Sequence, residues 1–278
     1  MRDEMKIALA QLDCASEGEL AKSFDTVRNF VDEAAELGAE LTIFPELSLH
    51  GYALEGGPLP ATDTRLTDLS RDGMVVLAGF REDGGIRQYN AAGYYTGGHL
   101  HHAHRKLYLP NYLVWEERKR ASPGQSLQAF DTRFGRMAVL ICNDAWQPVL
   151  PWLAAQDGAE VMLIPANSAA GFGPESLDVM DYWDQLLTFV ARMHQSWVVF
   201  VNRVGDEDGT RFWGGSRVID PSGQVTAQAP FWHPSLLVAD IDIEQCRRRR
   251  HEIPLLAEAR LGLIEREVQR LIREGGDA

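Results

Sequence analysis

Short runs of apolar residues alternate along this chain with longer segments whose apolar residues recur every three or four positions. The first pattern predicts buried β-strands and the second predicts amphipathic α-helices, so the sequence indicates an α/β fold. Phe24, Val27 and Val31 show the helical spacing, and Gly38 is expected to end their helix. Strands are predicted at residues 5–10, 40–44, 74–80, 90–95, 99–107, 136–142, 159–164, 197–201, 213–220 and 236–243, and helices at residues 21–37, 148–156, 182–193 and 252–274.

Two parts of the chain repeat the same order of features. Residues 35–45 and 155–165 align without gaps, and each reads as a helix end, Gly-Ala-Glu, an apolar strand and a proline. A strand is also predicted before each of the two helices, so we infer two related strand-helix-strand halves. Such halves suit a sandwich of two sheets with helices on the outside.

The net charge of −13 narrows the range of expected partners. Nucleic-acid binding relies on clustered Lys and Arg, so this acidic chain is not expected to bind nucleic acid, and small neutral or cationic ligands are better candidates. Residues 247–250 are consecutive arginines, and we interpret this run as a solvated helix face or a tail contact.

The three cysteines, Cys14, Cys142 and Cys246, lie far apart in the sequence. They offer neither a disulfide framework nor a Cys-x-x-Cys site, which fits a reducing cytoplasm. The charged N-terminus is followed by only a short apolar strand, and no run reaches the roughly 20 apolar residues of a membrane span. We therefore expect a soluble cytoplasmic protein with no membrane partner.

Residues 136–146 lead from an apolar strand into Cys142 and then into the turn-forming pair Asn143 and Asp144. A strand that stops at Cys142 holds the thiol at the tip of a rigid element, where it is placed to attack a substrate. Backbone N–H groups of the turn, including that of Asn143, are suited to stabilise an anion forming on a carbonyl. A lone cysteine at a strand end is more often a core residue, so the neighbouring chemistry has to decide.

Two further charged residues lie at the ends of predicted strands. Glu46 follows the strand at 40–44, and Lys106 lies at the end of the strand at 99–107. Ligand sites of α/β sheets gather at the carboxyl ends of strands, so Glu46, Lys106 and Cys142 are expected at one rim. The Glu46 carboxylate could take the thiol proton, and the Lys106 ammonium group could stabilise an oxyanion, so the three residues together suit nucleophilic catalysis. Taken singly, Glu46 also fits a solvated loop carboxylate and Lys106 a surface lysine.

Four histidines near one predicted strand raise the question of a metal site. His102 and His104 share a face of that strand because alternate residues point the same way, but no third ligand with suitable spacing accompanies them. We interpret the group as solvated or sheet-facing histidines and expect neither a metal ion nor a cofactor. The group comprises His99, His101, His102 and His104.

Three segments of the chain resemble the signature segments of the nitrilase (carbon-nitrogen hydrolase) superfamily, in the same order and with fitting spacing. They are Phe44-Pro-Glu-Leu-Ser-Leu-His-Gly-Tyr52, His104-Arg-Lys-Leu-Tyr-Leu-Pro110 and Leu140-Ile-Cys-Asn-Asp-Ala-Trp146. The resemblance covers nearly the whole chain. It implies an α/β fold of the four-layer αββα sandwich type and a catalytic set of Glu46, Lys106 and Cys142.

The same resemblance implies a second glutamate, which steadies the site, in the loop after the lysine. Glu117 matches it best, and the adjacent Glu116 stays open as an alternative. Residues 1–251 are then the carbon-nitrogen hydrolase domain, and residues 252–278 are a C-terminal helical extension. The apolar side of that extension is expected to form a subunit contact in a homodimer or a larger homo-oligomer.

Within the superfamily, the chain looks most like the glutaminase domain of glutamine-dependent NAD synthetases, here as a stand-alone domain. The resemblance rests on residues 45–52, 109–112 and 214–223. It implies hydrolysis of a small carboxamide to a carboxylic acid and ammonia through a Cys142 thioester. A nitrilase or an N-carbamoyl amidohydrolase is the alternative enzyme, and a non-catalytic binding protein is the alternative of another class. Candidate substrate-binding residues are Tyr52, Tyr112, Trp146, Asn167 and Ser168.

Overall fold

Two six-stranded β-sheets face each other in the structure, a computed structural model that describes residues 4–14, 20–52, 57–112, 115–171, 178–207 and 209–275. The helices of these residues are α1 (Leu20–Glu36), α2 (Thr64–Thr67), α3 (Val149–Gln156), α4 (Val179–His194), α5 (Ile243–Glu252) and α6 (Leu261–Arg273). The strands are β1 (Glu4–Gln11), β2 (Leu41–Ile43), β3 (Val75–Asp83), β4 (Gln88–Thr96), β5 (His99–Arg105), β6 (Phe130–Asp131), β7 (Arg136–Val139), β8 (Val161–Ala166), β9 (Ala169–Ala170), β10 (Trp197–Asn202), β11 (Val204–Glu207), β12 (Thr210–Trp213), β13 (Arg217–Ile219), β14 (Val225–Gln228) and β15 (Ser235–Asp242).

The two sheets are built on the same plan. One has the strand order β15-β1-β2-β3-β4-β5 and the other β14-β13-β10-β8-β7-β6. Strands β1, β2 and β3 run parallel, and so do β7, β8 and β10. Helix α1 connects β1 to β2, and α3 connects β7 to β8, so the two strand-helix-strand halves inferred from the repeated sequence are confirmed.

Three hydrophobic clusters separate four layers. Ile7 and Leu9 on β1 join the cluster between the sheets, while Ala8 and Ala10 face the cluster that covers α1. Alternate residues of a strand point to opposite faces, so burial on both faces explains why the strand is apolar throughout. A third cluster joins the second sheet to α3 and α4. The predicted αββα sandwich is therefore confirmed.

The strand predicted at residues 213–220 is wrong as a single element. It is divided into the end of β12 and all of β13, because Gly214 and Gly215 adopt φ angles of +68° and +63°. A side chain is also excluded there by space: a Cβ atom on Gly214 would lie 2.5 Å from Val204 Cγ1. The glycine pair turns the chain from the small sheet of β9, β11 and β12 into the second large sheet.

The continuous helix predicted at residues 252–274 is also wrong. Helix α5 already ends at Glu252, and the next residue, Ile253, is extended. The cause is Pro254, because a proline disfavours helical backbone at the residue that precedes it. The chain becomes helical again only at α6. Of the arginine run on α5, Arg250 donates to the Ala159 carbonyl and Arg247 pairs with Glu160, so this run contacts the body of the fold.

Helix α6 presents an apolar side that stays exposed among the residues that the structure describes. Leu261, Ile264, Val268 and Leu271 lie on one side of it at helical spacing, and all four are exposed. An exposed apolar stripe of this kind marks an interaction surface, so we propose that a second copy of the chain covers it. No helix in the described ranges is both long and apolar enough to span a membrane.

We expect Val268→Asp to shift the protein from a homo-oligomer to the monomer, since it places a charge in the apolar side of α6. The matched control is Gln269→Asp, which adds the same charge to the neighbouring, more polar side. Sedimentation velocity at micromolar concentration measures the change. Wild-type protein that sediments as a monomer would contradict the proposed contact.

Candidate active site

Three strand ends converge on one cleft of about 360 Å³. Glu46 follows β2, Lys106 follows β5 directly and Cys142 follows β7, so both sheets contribute. The turn after Glu46 lies against β3 so closely that a Cβ atom on Gly79 would be 2.5 Å from the Leu47 nitrogen. The cleft is lined by Tyr52, Lys106, Pro110, Tyr112, Trp115, Cys142, Asn143, Trp146, Gln147, Asn167, Ser168, Ala169, Val179 and Trp183.

Lys106 forms a buried ion cluster with two glutamates. Its Nζ atom lies 2.6 Å from Glu46 Oε1 and donates to Glu117 Oε1 at 2.9 Å. Asn90 Nδ2 also donates to Glu46 Oε1 at 2.7 Å, and the Asn167 main-chain N–H donates to Glu46 Oε2 at 2.8 Å. Lys106, Glu46 and Glu117 are all buried, so these bonds fix each charged group where water cannot replace its partner.

The structure separates the two candidate glutamates of the loop. Glu117 is buried beside Lys106 and accepts a hydrogen bond from the Tyr52 hydroxyl. Glu116 is exposed and pairs with Lys119 at 2.6 Å. The second carboxylate of the cluster is therefore Glu117.

Burial and charge together set the proton affinities of the cluster. Burial alone lowers the pKa of Lys106, but the adjacent Glu117 and Glu46 carboxylates outweigh it and raise that pKa well above its usual value. The pKa of Glu117 is raised because burial outweighs the attraction of Lys106. The lysine thus stays an ammonium group, and it carries three N–H donors of which the glutamates take two.

Cys142 lies in a strained turn at the tip of the second sheet. It begins a short 3-10 helix, Cys142–Asp144, and its φ angle of +47° is in the left-handed region that side chains avoid. Burial raises the pKa of its thiol well above the usual value, and the Glu46 carboxylate adds to this rise more than Lys106 offsets it. The resting site therefore holds a neutral thiol next to a carboxylate.

The carboxylate of Asp144 holds that turn in place. It accepts hydrogen bonds from the main-chain nitrogens of Ile141 at 3.1 Å and of Leu107 and Tyr108 at 2.9 Å. His104 Nε2 lies 3.0 Å from the same carboxylate, and both side chains are buried. One side chain thus bridges the cysteine turn and the chain that follows Lys106, and His104 is a sheet-facing residue with a specific partner.

The five candidate substrate-binding residues all line the cleft, but they differ in what else they do. The Ser168 hydroxyl oxygen already accepts N–H bonds from Trp183 at 2.8 Å and Trp213 at 3.0 Å. Trp146 stacks on Tyr182 with ring centroids 4.5 Å apart. Ser168 and Trp146 are therefore fixed parts of the cleft wall.

Near the entrance, the supporting residue Asn143 connects two loops. Its Nδ2 atom donates to the Tyr108 carbonyl at 3.1 Å, and the Tyr112 hydroxyl lies 3.4 Å from its Oδ1. Tyr52 lies deeper and contacts both Glu117 and the Trp115 ring. Aromatic rings thus line the cleft, and the hydroxyl of Tyr52 directly contacts one of the charged groups.

Sequence reasoning missed two residues that organise the site, Asn90 and Asp144. Asn90 lies inside a predicted strand, and nothing in the local pattern indicates its bond to Glu46. Asp144 had a local signal, since an aspartate in a turn commonly accepts from nearby main-chain N–H groups, here that of Ile141. Its bonds to residues 107 and 108 join distant parts of the chain.

Strand ends of the two facing sheets thus bring together a thiol, an ammonium group and one carboxylate, and the loop that carries Glu117 adds a second carboxylate. The chain belongs to the carbon-nitrogen hydrolase family, whose family model matches residues 6–251.

Relatives with curated descriptions include synthetases and amidases. A glutamine-dependent NAD(+) synthetase of Thermotoga maritima is 32% identical over 255 residues, a match that covers 87% of this chain and 42% of the synthetase. This chain therefore spans about half the length of the first relatives it matches. The omega-amidase NIT2 of Mus musculus is 29% identical over 276 residues, covering 93% of this chain and 96% of the amidase.

Solved structures support the fold. A carbon-nitrogen hydrolase of Helicobacter pylori superposes with a TM-score of 0.82 at 21% identity, covering 94% of this chain and 96% of that one. A glutamine-dependent NAD+ synthetase of Acinetobacter baumannii gives a TM-score of 0.78 at 26% identity, covering 87% of this chain and 46% of that one. The first likeness concerns the fold alone.

We expect the Cys142 thiol to stay protonated in the ligand-free protein at a pH where an ordinary thiol, of pKa about 8.5, is half ionised. A raised pKa favours the neutral form, so thiolate forms only above that pH. Ultraviolet thiolate absorbance, measured as wild type minus Cys142→Ala from about pH 6 to about pH 8.5, checks this. A titration step well inside that range would show that the ion cluster stabilises the thiolate.

Asp144→Ala should lower the free energy of unfolding by at least about 3 kcal/mol, because several buried N–H groups lose their acceptor at about 1–3 kcal/mol each. Urea denaturation measures the loss. The control, Asp131→Ala, removes an exposed carboxylate paired with Arg136 and should cost less than about 1 kcal/mol. Equal stability of the two variants would refute the bridging role of Asp144.

Proposed function

We propose that the protein hydrolyses a small carboxamide to a carboxylic acid and ammonia through a thioester on Cys142. The observation that carries this proposal is the buried contact of Lys106 with both Glu46 and Glu117 in the cleft that Cys142 lines. A binding protein has no need to bury two carboxylates and an ammonium group beside a thiol, since buried charges are costly. The contact therefore favours catalysis over the non-catalytic alternative.

The first half of the reaction forms the thioester. Glu46 accepts the proton of the Cys142 thiol as the sulfur attacks the carbonyl carbon, so a C–S bond forms and the carbonyl oxygen becomes an oxyanion. The third donor of Lys106 and the main-chain N–H of Asn143 stabilise that oxyanion. Glu46 then returns the proton to the nitrogen, the C–N bond breaks and ammonia leaves.

The second half releases the acid. Glu46 takes a proton from water, whose oxygen attacks the thioester carbon, and the C–S bond breaks as the sulfur regains a proton. Because the pKa of Cys142 is raised, the sulfur leaves readily only as a thiol, which requires a proton donor at this step. Glu46 acts as base and acid in turn, while Glu117 holds Lys106 in place.

The choice of a carboxamide has support of another kind. The omega-amidase with which this chain shares 29% identity matches it over almost its full length. A nitrilase of Pyrococcus abyssi is 28% identical over 241 residues, so nitriles are the second candidate class. A thiol that must stay reduced also suits the cytoplasm, which we propose as the location.

Release of ammonia from matched amides, nitriles and N-carbamoyl compounds tests the proposal. We expect amides to exceed the other two classes by at least about tenfold in kcat/KM, which corresponds to roughly 1.4 kcal/mol of transition-state stabilisation. Cys142→Ala should abolish the activity because it removes the nucleophile.

Cys246→Ala is the matched control. Cys246 is a buried cysteine on α5, so its substitution should leave the rate unchanged. A nitrile or a carbamoyl compound as the best substrate would reject the amidase assignment. Undiminished turnover by Cys142→Ala would show that Cys142 is not the nucleophile.

A further inference from the structure

Asn167 carries a buried side chain whose hydrogen-bonding groups are unused. The residue is 2% exposed, and neither Oδ1 nor Nδ2 has a partner among the described residues. A buried polar group without a partner costs about 1–3 kcal/mol, so such a side chain indicates a ligand that completes it. The side chain lines the same cleft as Cys142 and Lys106.

The backbone around Asn167 is held firmly, which fixes where its side chain begins. Its own N–H donates to Glu46 Oε2 at 2.8 Å and also contacts the Cys142 sulfur. The next residue, Ser168, donates its N–H to Asn202 Oδ1 at 2.8 Å. Asn167 therefore lies on the Glu46 side of the nucleophile, where the leaving group of the proposed reaction receives its proton.

We propose that Asn167 Oδ1 accepts a hydrogen bond from the nitrogen of the scissile carboxamide, which makes Asn167 a specificity-determining residue for primary amides. The inference rests on the proposed function. The oxygen side of the substrate already has Lys106 and the Asn143 N–H, whereas the nitrogen side has Glu46 as its acid and needs an acceptor for its own N–H groups.

This hydrogen bond strengthens as the reaction proceeds. When Glu46 protonates the nitrogen, its N–H groups gain positive charge, and a charged donor forms a stronger bond than a neutral one. The contact therefore favours the transition state over the bound substrate and acts on kcat. A nitrile nitrogen and an ester oxygen carry no N–H group, so a bound nitrile or ester cannot donate this hydrogen bond to Asn167 Oδ1.

The test compares an amide with the methyl ester of the same acid in Asn167→Leu and Asn167→Ala. Leucine is close to asparagine in size and keeps the main-chain N–H, so the bond to Glu46 survives. We expect kcat/KM for the amide to fall at least about tenfold more than for the ester, mainly through kcat. Gln147→Leu is the matched control, because it removes the side-chain amide of another residue that lines the cleft. It should change kcat/KM for the amide and the ester to a similar extent.

The outcomes separate this inference from the proposed function. A selective loss of amide hydrolysis in both Asn167 variants, with circular dichroism unchanged, supports the contact. Equal losses for amide and ester, or no loss, overturn it while leaving the proposed function in place. Wild-type protein that releases no ammonia from any amide overturns the proposed function first, and the inference with it.

Discussion

The carboxylate of Asp144 is the constraint on which the site depends, because it joins the ends of strands from two different sheets. It accepts hydrogen bonds from the main-chain N–H groups of Ile141, just before Cys142, and of Leu107 and Tyr108, just after Lys106. These bonds also explain how the left-handed backbone of Cys142 persists, since a conformation that costs about 1–3 kcal/mol needs surroundings that enforce it. Asp144 thereby ties the turn that carries Cys142 to the chain that follows Lys106.

The buried charges of the cluster explain the state of the thiol. Glu46 and Glu117 carry two negative charges against one positive charge on Lys106, so ionising Cys142 would add a further negative charge in a buried site. This addition of charge is one reason, besides burial, that the pKa of the Cys142 thiol is raised. A cluster of this kind adds little to stability, because desolvation offsets the attraction of its charges. Its value lies in keeping base, ammonium group and thiol at fixed distances.

Much of the fold could be predicted from the sequence, because each layer leaves a local pattern. The apolar run at residues 5–10 and the repeated segments at 35–45 and 155–165 indicated two strand-helix-strand halves, and the resemblance to the nitrilase superfamily implied the four-layer αββα sandwich. The errors arose where one residue type overrides the pattern, at Gly214 and before Pro254. For the site, Glu46, Lys106 and Cys142 could be expected together because strand ends meet at a rim. Asn90 and Asp144 could not be assigned partners, since those bonds depend on how distant strands align, which no local pattern records.

The residues that line and flank the cleft differ in what holds them in place. Glu46 and Cys142 follow strands that pack in the hydrophobic clusters, and Lys106 is held by its contacts with the two buried glutamates. Tyr112 lies outside the strands and is exposed, so a substitution there disturbs no sheet, whereas Trp146 is fixed by its stacking on Tyr182. Asn167 has a backbone tied to Glu46 and a side chain that lines the cleft without a partner among the described residues. In the proposed reaction, a residue in that position selects the bond that is cleaved while Glu46, Lys106 and Cys142 stay in place.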